Sequence, residues 1–518
     1  MLQISKNNLI YKIKLLVDSI TMSSVPRVLR TDLREDGNGQ SQRVETRVIQ
    51  PLSGWNGANQ GRLEFTLPRQ GILDRSSYIK FQLLGPNATA RLPVSAGAYG
   101  AIETATLRIG GVEIQTRRGF GHLCTMKQFY RTPHDRNARQ AKRVGCFTGC
   151  MVDSTQTGAV GGVGANKPGH WGIDTGRDWA YNVGANDREI TTGYHLTNDP
   201  NTTPEWVIDL AVLFPILYSN SLPLGLLDNE INIILDLSED LVAGQRSISP
   251  AATVWVPGTN IINPSLHVDL IFFDEQLGEK TTMETLRDQL NKGEKLVFTD
   301  DQYVQFNQPE GAALSSENIL NKVSLGADNQ IVRNITIATP YSIDYGAAAT
   351  QGNELYGQYY SAGSRTQNSL QLVLNNNPVY PAPVTRDSEL WNELSMIMPT
   401  KFKVNSAYYS YFGQTNTAGG ALIPTALRIT NKTFMGAGHE QYTQTGALHY
   451  YGINLSKPGY KNVVGAGTAI GRNPLLLELG DERTTAAVGD NAGKTIHIWI
   501  TCERLLSIMG GKIMVSGA

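Results

Sequence analysis

One pattern occurs twice in this chain, and it narrows the choice of fold more than any single residue does. Near residue 105, Ala105, Leu107 and Ile109 alternate with polar residues, Gly110 and Gly111 follow, and Val112 to Ile114 resume the alternation. Near residue 368, Leu370, Leu372 and Leu374 alternate in the same way, Asn375 and Asn376 follow, and Asn377 to Tyr380 resume. A helix-like run comes next in each copy, Phe120 to Tyr130 in the first and Ser388 to Met398 in the second. Gly and Asn tolerate the positive φ that a two-residue hairpin loop requires. Two such units in one chain imply a duplicated β domain.

The rest of the sequence is written in the same period. Leu63, Phe65 and Leu67 alternate with Arg62, Glu64 and Thr66; Ile79, Phe81 and Leu83 alternate with Lys80 and Gln82. Ile208, Leu210, Val212 and Phe214 predict a further strand, followed by Ile231, Ile233 and Leu235, then Val268, Leu270 and Phe272. The second half repeats the habit at 298–306, 331–337, 370–374, 427–430, 450–455, 475–479 and 496–502. Strands apolar on one face and polar on the other build sandwiches of antiparallel sheets. The chain reads as all-β.

Between the halves lies the strongest helix signal. Thr281 and Glu284 are spaced as a capping box, Met283, Leu286 and Leu290 form one apolar stripe, and Gly293 supplies a stop. The expected organisation is an N-terminal arm over residues 1–46, a first β domain over 47–277, a linker helix over 278–293 and a second β domain over 294–518. Each β block carries about eight strand candidates, the number in a jelly roll of two Greek keys. Two tandem eight-stranded jelly rolls are therefore expected. At 518 residues the chain is too long for one core. In the arm, Leu9, Ile10, Ile13, Leu16, Val17 and Ile20 fall at helical spacing, and Lys6, Lys12 and Lys14 rule out a membrane span or signal peptide there.

Composition excludes several classes of function. Apolar residues make up 41% and charged residues 18%, enough to bury large cores and inconsistent with disorder. The net charge of −1 provides no global attraction to nucleic acid or acidic lipid. Any such contact must be local, and one cluster qualifies. Arg117, Arg118, Lys127, Arg131, Arg136, Arg139, Lys142 and Arg143 surround a single acid, Asp135. They form a candidate phosphate-facing patch, set against the plainer alternative of charges paired with acids elsewhere.

Four cysteines in a chain this long do not make a disulfide framework and read as free buried thiols. His122, Cys124, Cys146 and Cys150 contain one spacing that zinc accepts, but no second cysteine pair accompanies it; no metal and no cofactor are expected. Enzyme signatures fail in turn. The Gly-rich run 158–167 lacks the adjacent Lys-Ser/Thr of a phosphate loop, Gly465 to Gly471 has the wrong spacing for a dinucleotide site, and His439-Glu440 has no second histidine. Asp300 and Asp301 point to opposite faces of a strand and cannot flank one glycosidic bond, so a solvated edge is expected for them. The loops at 151–204 (with Trp171 and Trp179), 340–368 and 405–447 are long and aromatic, as expected of surface protrusions.

The run Gly61 to Leu67, then Asp74 to Leu84, then the Ile109–Ile114 hairpin resembles the opening of double jelly-roll major capsid proteins. Leu213 to Pro215, Ser221 to Leu227 and Glu230 to Asp236 are similar to the end of their first roll. Ile496 to Cys502 and Arg504 to Val515 are similar to their last two strands. The family spans polinton-like viruses, virophages, adenovirus-related viruses and the large DNA viruses of eukaryotes. The resemblance implies a non-enzymatic structural protein of the virion. In this reading it forms a homotrimer that serves as a pseudo-hexagonal capsomer, or hexon. It would contact neighbouring capsomers, penton and minor capsid proteins in an icosahedral shell around double-stranded DNA, with genome or an internal membrane beneath. The competing expectation is a secreted or surface two-domain β-sandwich protein that binds or cleaves carbohydrate, since jelly rolls host both.

Overall fold

A computed structural model describes residues 42–52, 61–85, 97–129, 141–145, 199–238, 257–273, 281–308, 318–338, 360–361, 365–384, 397, 413–416, 422–425, 447–448, 450–456, 467–472, 474–483 and 494–517. The expected arm helix, the second helix-like run apart from Ile397, the strand at 427–430 and almost all of the three aromatic loops fall outside them.

The first half builds two facing sheets. Strands β1 (Gln42–Ile49), β4 (Tyr78–Leu83), β7 (Glu205–Asp209) and β9 (Ile261–Phe273) pair in the order β1-β9-β4-β7, with the short β3 (Ile72–Leu73) added to β9. Opposite lie β2 (Arg62–Leu67), β5 (Ile102–Ile109), β6 (Val112–Arg118) and β8 (Ile231–Leu237), in the order β2-β8-β5-β6. The period-two pattern dictates which side chains fill the space between. Leu63, Phe65 and Leu67 of β2 and Ile79, Phe81 and Leu83 of β4 are all buried in one core, while Arg62 faces water.

The second half repeats this plan. Strands β10 (Lys295–Gln308), β12 (Gln330–Ala338), β19 (Tyr450–Asn454) and β22 (Lys494–Met509) pair in the order β10-β22-β12-β19. Strands β11 (Asn318–Ser324), β14 (Arg365–Leu374), β15 (Asn377–Pro378) and β21 (Leu475–Arg483) pair in the order β11-β21-β14-β15. Counting only the eight principal strands of each half from its own start, both read 1-8-3-6 in one sheet and 2-7-4-5 in the other. The minor strands are β13 (Tyr360–Ser361) with β18 (Ala447–Leu448), β16 (Gly413–Asn416) with β17 (Leu422–Thr425), β20 (Thr468–Ile470) on β12, and β23 (Lys512–Gly517) on β22.

The repeated motif sits at the same place in both halves. Gly110 and Gly111 have φ of 57° and 84°, and Asn375 and Asn376 have 56° and 61°. Both loops are two residues long, closing Ile109 on Val112 and Leu374 on Asn377. Positive φ at both central residues matches the loop twist to that of the strands. The first helix-like run is α1 (Phe120–Phe129) and the linker helix is α2 (Thr282–Asn291). Thr281 Oγ1 accepts from the Glu284 amide at 3.1 Å, and a Glu284 carboxylate oxygen accepts from the Thr281 amide at 2.9 Å.

Two expectations are corrected. The alternation from Ile208 to Phe214 is not one strand: β7 ends at Asp209, and helical turns follow at Leu210–Leu213 and Ile216–Ser219. Leu210, Leu213, Phe214, Ile216 and Leu217 are all buried, and a chain that buries side chains all round is served by turns rather than by a one-faced strand. The end of the chain is not two strands split near Glu503. The strand β22 runs unbroken for 16 residues and then turns through Gly510-Gly511 into β23.

That long strand serves two cores. Ile496, Ile498, Ile500 and Cys502 belong to the core of the second sandwich, whereas Leu506 and Ile508 belong to that of the first. Leu286 and Leu290 of α2 and Leu296 and Phe298 of β10 join the first core as well. Replacing Thr281 with Ala removes one half of the capping box and should lower stability by about 1 kcal/mol. The shift of the urea unfolding midpoint of the full chain measures this.

Candidate functional site

Where β6 of the first sandwich meets β10 of the second, two sheet ends come together, since each strand closes its sheet on that side. Gln115 and Arg117, two residues apart, share one face of β6, and both are buried. Arg117 pairs through Nη2 with Asp301 Oδ2, and its Nη1 donates to the Val212 carbonyl at 2.6 Å. The other oxygen of Asp301 accepts from Thr501 Oγ1 at 2.7 Å. Gln115 Nε2 donates to Asp300 Oδ1 and to the Thr299 carbonyl, both at 3.1 Å, while its Oε1 accepts from the Ile216 amide. Asp300 Oδ2 also faces Arg504 Nε at 3.2 Å. Burial pushes the Asp300 carboxyl above its ordinary range, and Arg504 and the Gln115 hydrogen bond oppose that shift.

The expectation of a solvated Asp300-Asp301 edge is thus overturned. Both carboxylates are buried, at 4% and 6% exposure, because a second sheet end covers the strand and supplies partners to each. Their adjacency had suggested only that they could not act as a catalytic pair; what reaches them from β6 lies too far along the chain to be read locally.

Aromatic rings extend the seam. Trp499 Nε1 donates to the Arg118 carbonyl at 3.1 Å, and Tyr303 lies against Trp499 with centroids 5.6 Å apart. Gly119, at φ 59°, lets the chain turn over them: a Cβ there would lie 3.2 Å from Tyr303 and 3.3 Å from Trp499. His122 of α1 stacks on His497 of β22 at 4.6 Å. Asn220 Nδ2 closes the other side on the Val297 carbonyl at 2.8 Å.

The basic cluster divides. Arg117 is 2% exposed and neutralised by Asp301, so it is withdrawn from the expected phosphate-facing patch. Arg143 is half-buried and forks onto Asp209, with Nη1 at 2.8 Å from Oδ2. Arg118 is exposed. The side chains of Lys127 and Lys142, and all of Arg131, Arg136 and Arg139, lie outside the described residues. Of the possible zinc set, Cys124 is buried in the first core and in no disulfide and His122 faces His497, while Cys146 and Cys150 lie outside the described residues. Among the described residues no group of three His, Cys, Asp or Glu could hold a metal ion. Gly467 is a point of close approach: a Cβ there would lie 2.4 Å from the Val332 carbonyl oxygen. The Gly158–Lys167 run and His439 are outside the described residues.

No protein-family model matches the sequence, and no curated protein does. Solved structures do match. A chain of the PBCV-1 virus capsid overlays with a TM-score of 0.54 at 14% identity, covering 93% of this chain and 98% of that one. VP54 of PBCV-1, fitted into a reconstruction of the virophage Sputnik, gives 0.54 at 13% identity over 92% and 97%. The Sputnik virophage itself gives 0.51 at 13% identity over 92% and 89%. The fold is the double jelly roll. The overlay runs through both rolls rather than one, which the repeated 1-8-3-6 and 2-7-4-5 orders require.

In this double jelly roll the seam between rolls is the most heavily built polar site among the described residues. Arg117→Met should cost about 3–5 kcal/mol, because it strands a buried Asp301 carboxylate. Adding Asp301→Leu should recover most of that loss, and a double-mutant cycle from urea unfolding reads the difference.

Proposed function

We propose that this chain is a viral major capsid protein whose work is mechanical rather than catalytic. The observation that carries the reading is the repetition of one eight-strand order in two rolls joined by a buried seam. A tile with six similar edges can be made from three chains only if each chain brings two similar rolls in a fixed relation. The double jelly roll shared along 93% of the chain with the PBCV-1 virus capsid chain supports the same conclusion.

In this proposal three copies form a pseudo-hexagonal capsomer, and capsomers tile an icosahedral shell around a double-stranded DNA genome. The proposed division is an arm over 1–46, rolls over 47–277 and 294–518 and a linker over 278–293, with β1 drawn into the first roll from Gln42. Penton and minor capsid proteins are the further partners, and the virion is the location. The rest of the basic cluster, Arg118, Lys127, Arg131, Arg136, Arg139 and Lys142, serves the inner face toward DNA or an internal membrane. Obligate contacts of this kind bury several thousand Å².

Light scattering on the purified chain, with negative-stain images of the same peak, tests the reading. A trimer seen as a six-sided tile is expected; a monodisperse monomer would overturn it. Reversing charge at Arg136, Arg139 and Lys142 together should leave the trimer intact and reduce particle yield or packaged DNA. Unchanged yield and packaging would remove the inner-face role from the cluster.

A further inference from the structure

The seam contains a pair of imidazoles for which the capsid reading has no use. His122, in the first turn of α1, belongs to the first roll, and His497, on β22, to the second. Their ring centroids are 4.6 Å apart with planes 23° from parallel, and each residue is only 3% exposed. The stack continues from His497 to Trp499, at 5.8 Å and 15°, and to Tyr303, at 5.8 Å and 28°. The Tyr303 hydroxyl and His497 Nδ1 share a 2.7 Å hydrogen bond. Four rings from α1, β10 and β22 thus fill the join between the rolls.

Such a stack tolerates neutral imidazoles and rejects charged ones. Two imidazolium rings at this separation repel, and exclusion of water strengthens the repulsion. Burial holds His122 well below the usual histidine range, with His497 as the second cause, and burial alone holds His497 at about 3. Across the sheet His497 faces Gln305 of β10 and Ala338 of β12, neither of which titrates. Tyr303 of β10 is pushed up by burial and stays a neutral phenol; the nearby Glu103 of β5 raises it further, and Arg118 of β6 opposes. Among the described residues Tyr99 also packs on α1, meeting Phe120 edge-on at 5.9 Å, and Cys124 lies in the same helix.

We propose that the His122–His497 pair makes the join between the two rolls acid-labile, so that protonation of either ring parts α1 from β22 and loosens one roll from the other. The sign follows from linkage. Both rings are depressed in the closed join, whereas a ring released to water has the ordinary value of 6.5. The closed join therefore incurs no penalty above pH 6.5, and loses stability progressively as pH falls from there toward about 3. At pH 5, opening that frees one such histidine becomes about 30-fold more frequent than at neutral pH. The inference stands on the seam alone and holds whether or not the chain builds a shell.

Hydrogen exchange of the full chain at pH 7.5 and pH 5, corrected for intrinsic rates, tests it first. Protection should fall by about 30-fold or more in peptides covering residues 120–129 and 494–503, and remain in β2 and β8 of the first roll. Equal protection at both pH values in the seam peptides would overturn the proposal, as would a uniform loss across the first roll. The second test compares the pH dependence of urea unfolding in the wild type with His122→Phe, His497→Phe and the double variant, which keep a ring but no proton site. Each substitution should remove about one proton from the uptake on unfolding between pH 6.5 and 5. Leu63→Ala serves as a control that lowers stability without changing that uptake. An unaltered proton uptake in the double variant would also overturn the proposal; if that variant does not fold, the exchange result decides.

Discussion

Everything the chain does as one body rests on a charged contact kept out of water. Arg117 and Asp301 come from different sandwiches and are buried together where two sheet ends abut. Removing two charges from water is expensive, and their mutual attraction offsets the cost only if the remaining hydrogen-bonding positions are filled. Here most of them are: Val212 receives the guanidinium on one side and Thr501 serves the carboxylate on the other, while among the described residues Arg117 Nε has no hydrogen-bond partner. Such a contact adds little net stability over an apolar one, but it tolerates few alternative registers. That suits a join whose task is to hold two bodies in one relation.

The same contact resolves a difficulty of open sheets. A strand at the end of a sheet presents unpaired backbone groups that invite other chains. Capping β10 with β6 through side chains covers both strands at once, without fusing the two sheets into one. The Gln115 amide takes part directly, since it donates to the Thr299 carbonyl of β10. Asn220 does the same for Val297.

Much of the fold was legible in the sequence because its information is local. Alternation marked β2, β4 and β8, and Gly110-Gly111 and Asn375-Asn376 marked hairpins at equivalent places in each half. The capping box at Thr281 marked the start of the linker helix. The stretch after Asp209 was misread because burial on all sides looks like alternation when only every second residue is counted. The seam was not legible for a different reason. Arg117 and Asp301 are 184 positions apart, and each looks like an ordinary surface charge in its own strand. Arg117 was accordingly grouped with its basic neighbours in sequence, when its partner lay on the other half. The one local hint was two consecutive acids in mid-strand, which places one carboxylate on each face of β10.

The strand β22 has a consequence for how the molecule comes into being. Its first part completes the core of the second roll, and its last part, with Leu506 and Ile508, completes the core of the first. During synthesis the first roll emerges long before these residues do. It must wait, with part of its core open, until β22 leaves the ribosome. Multidomain chains generally fold in order from the N-terminus, but this one can close neither core until β22, residues 494–509, has been made. A product truncated before β22 is then incomplete in both halves, with neither core closed.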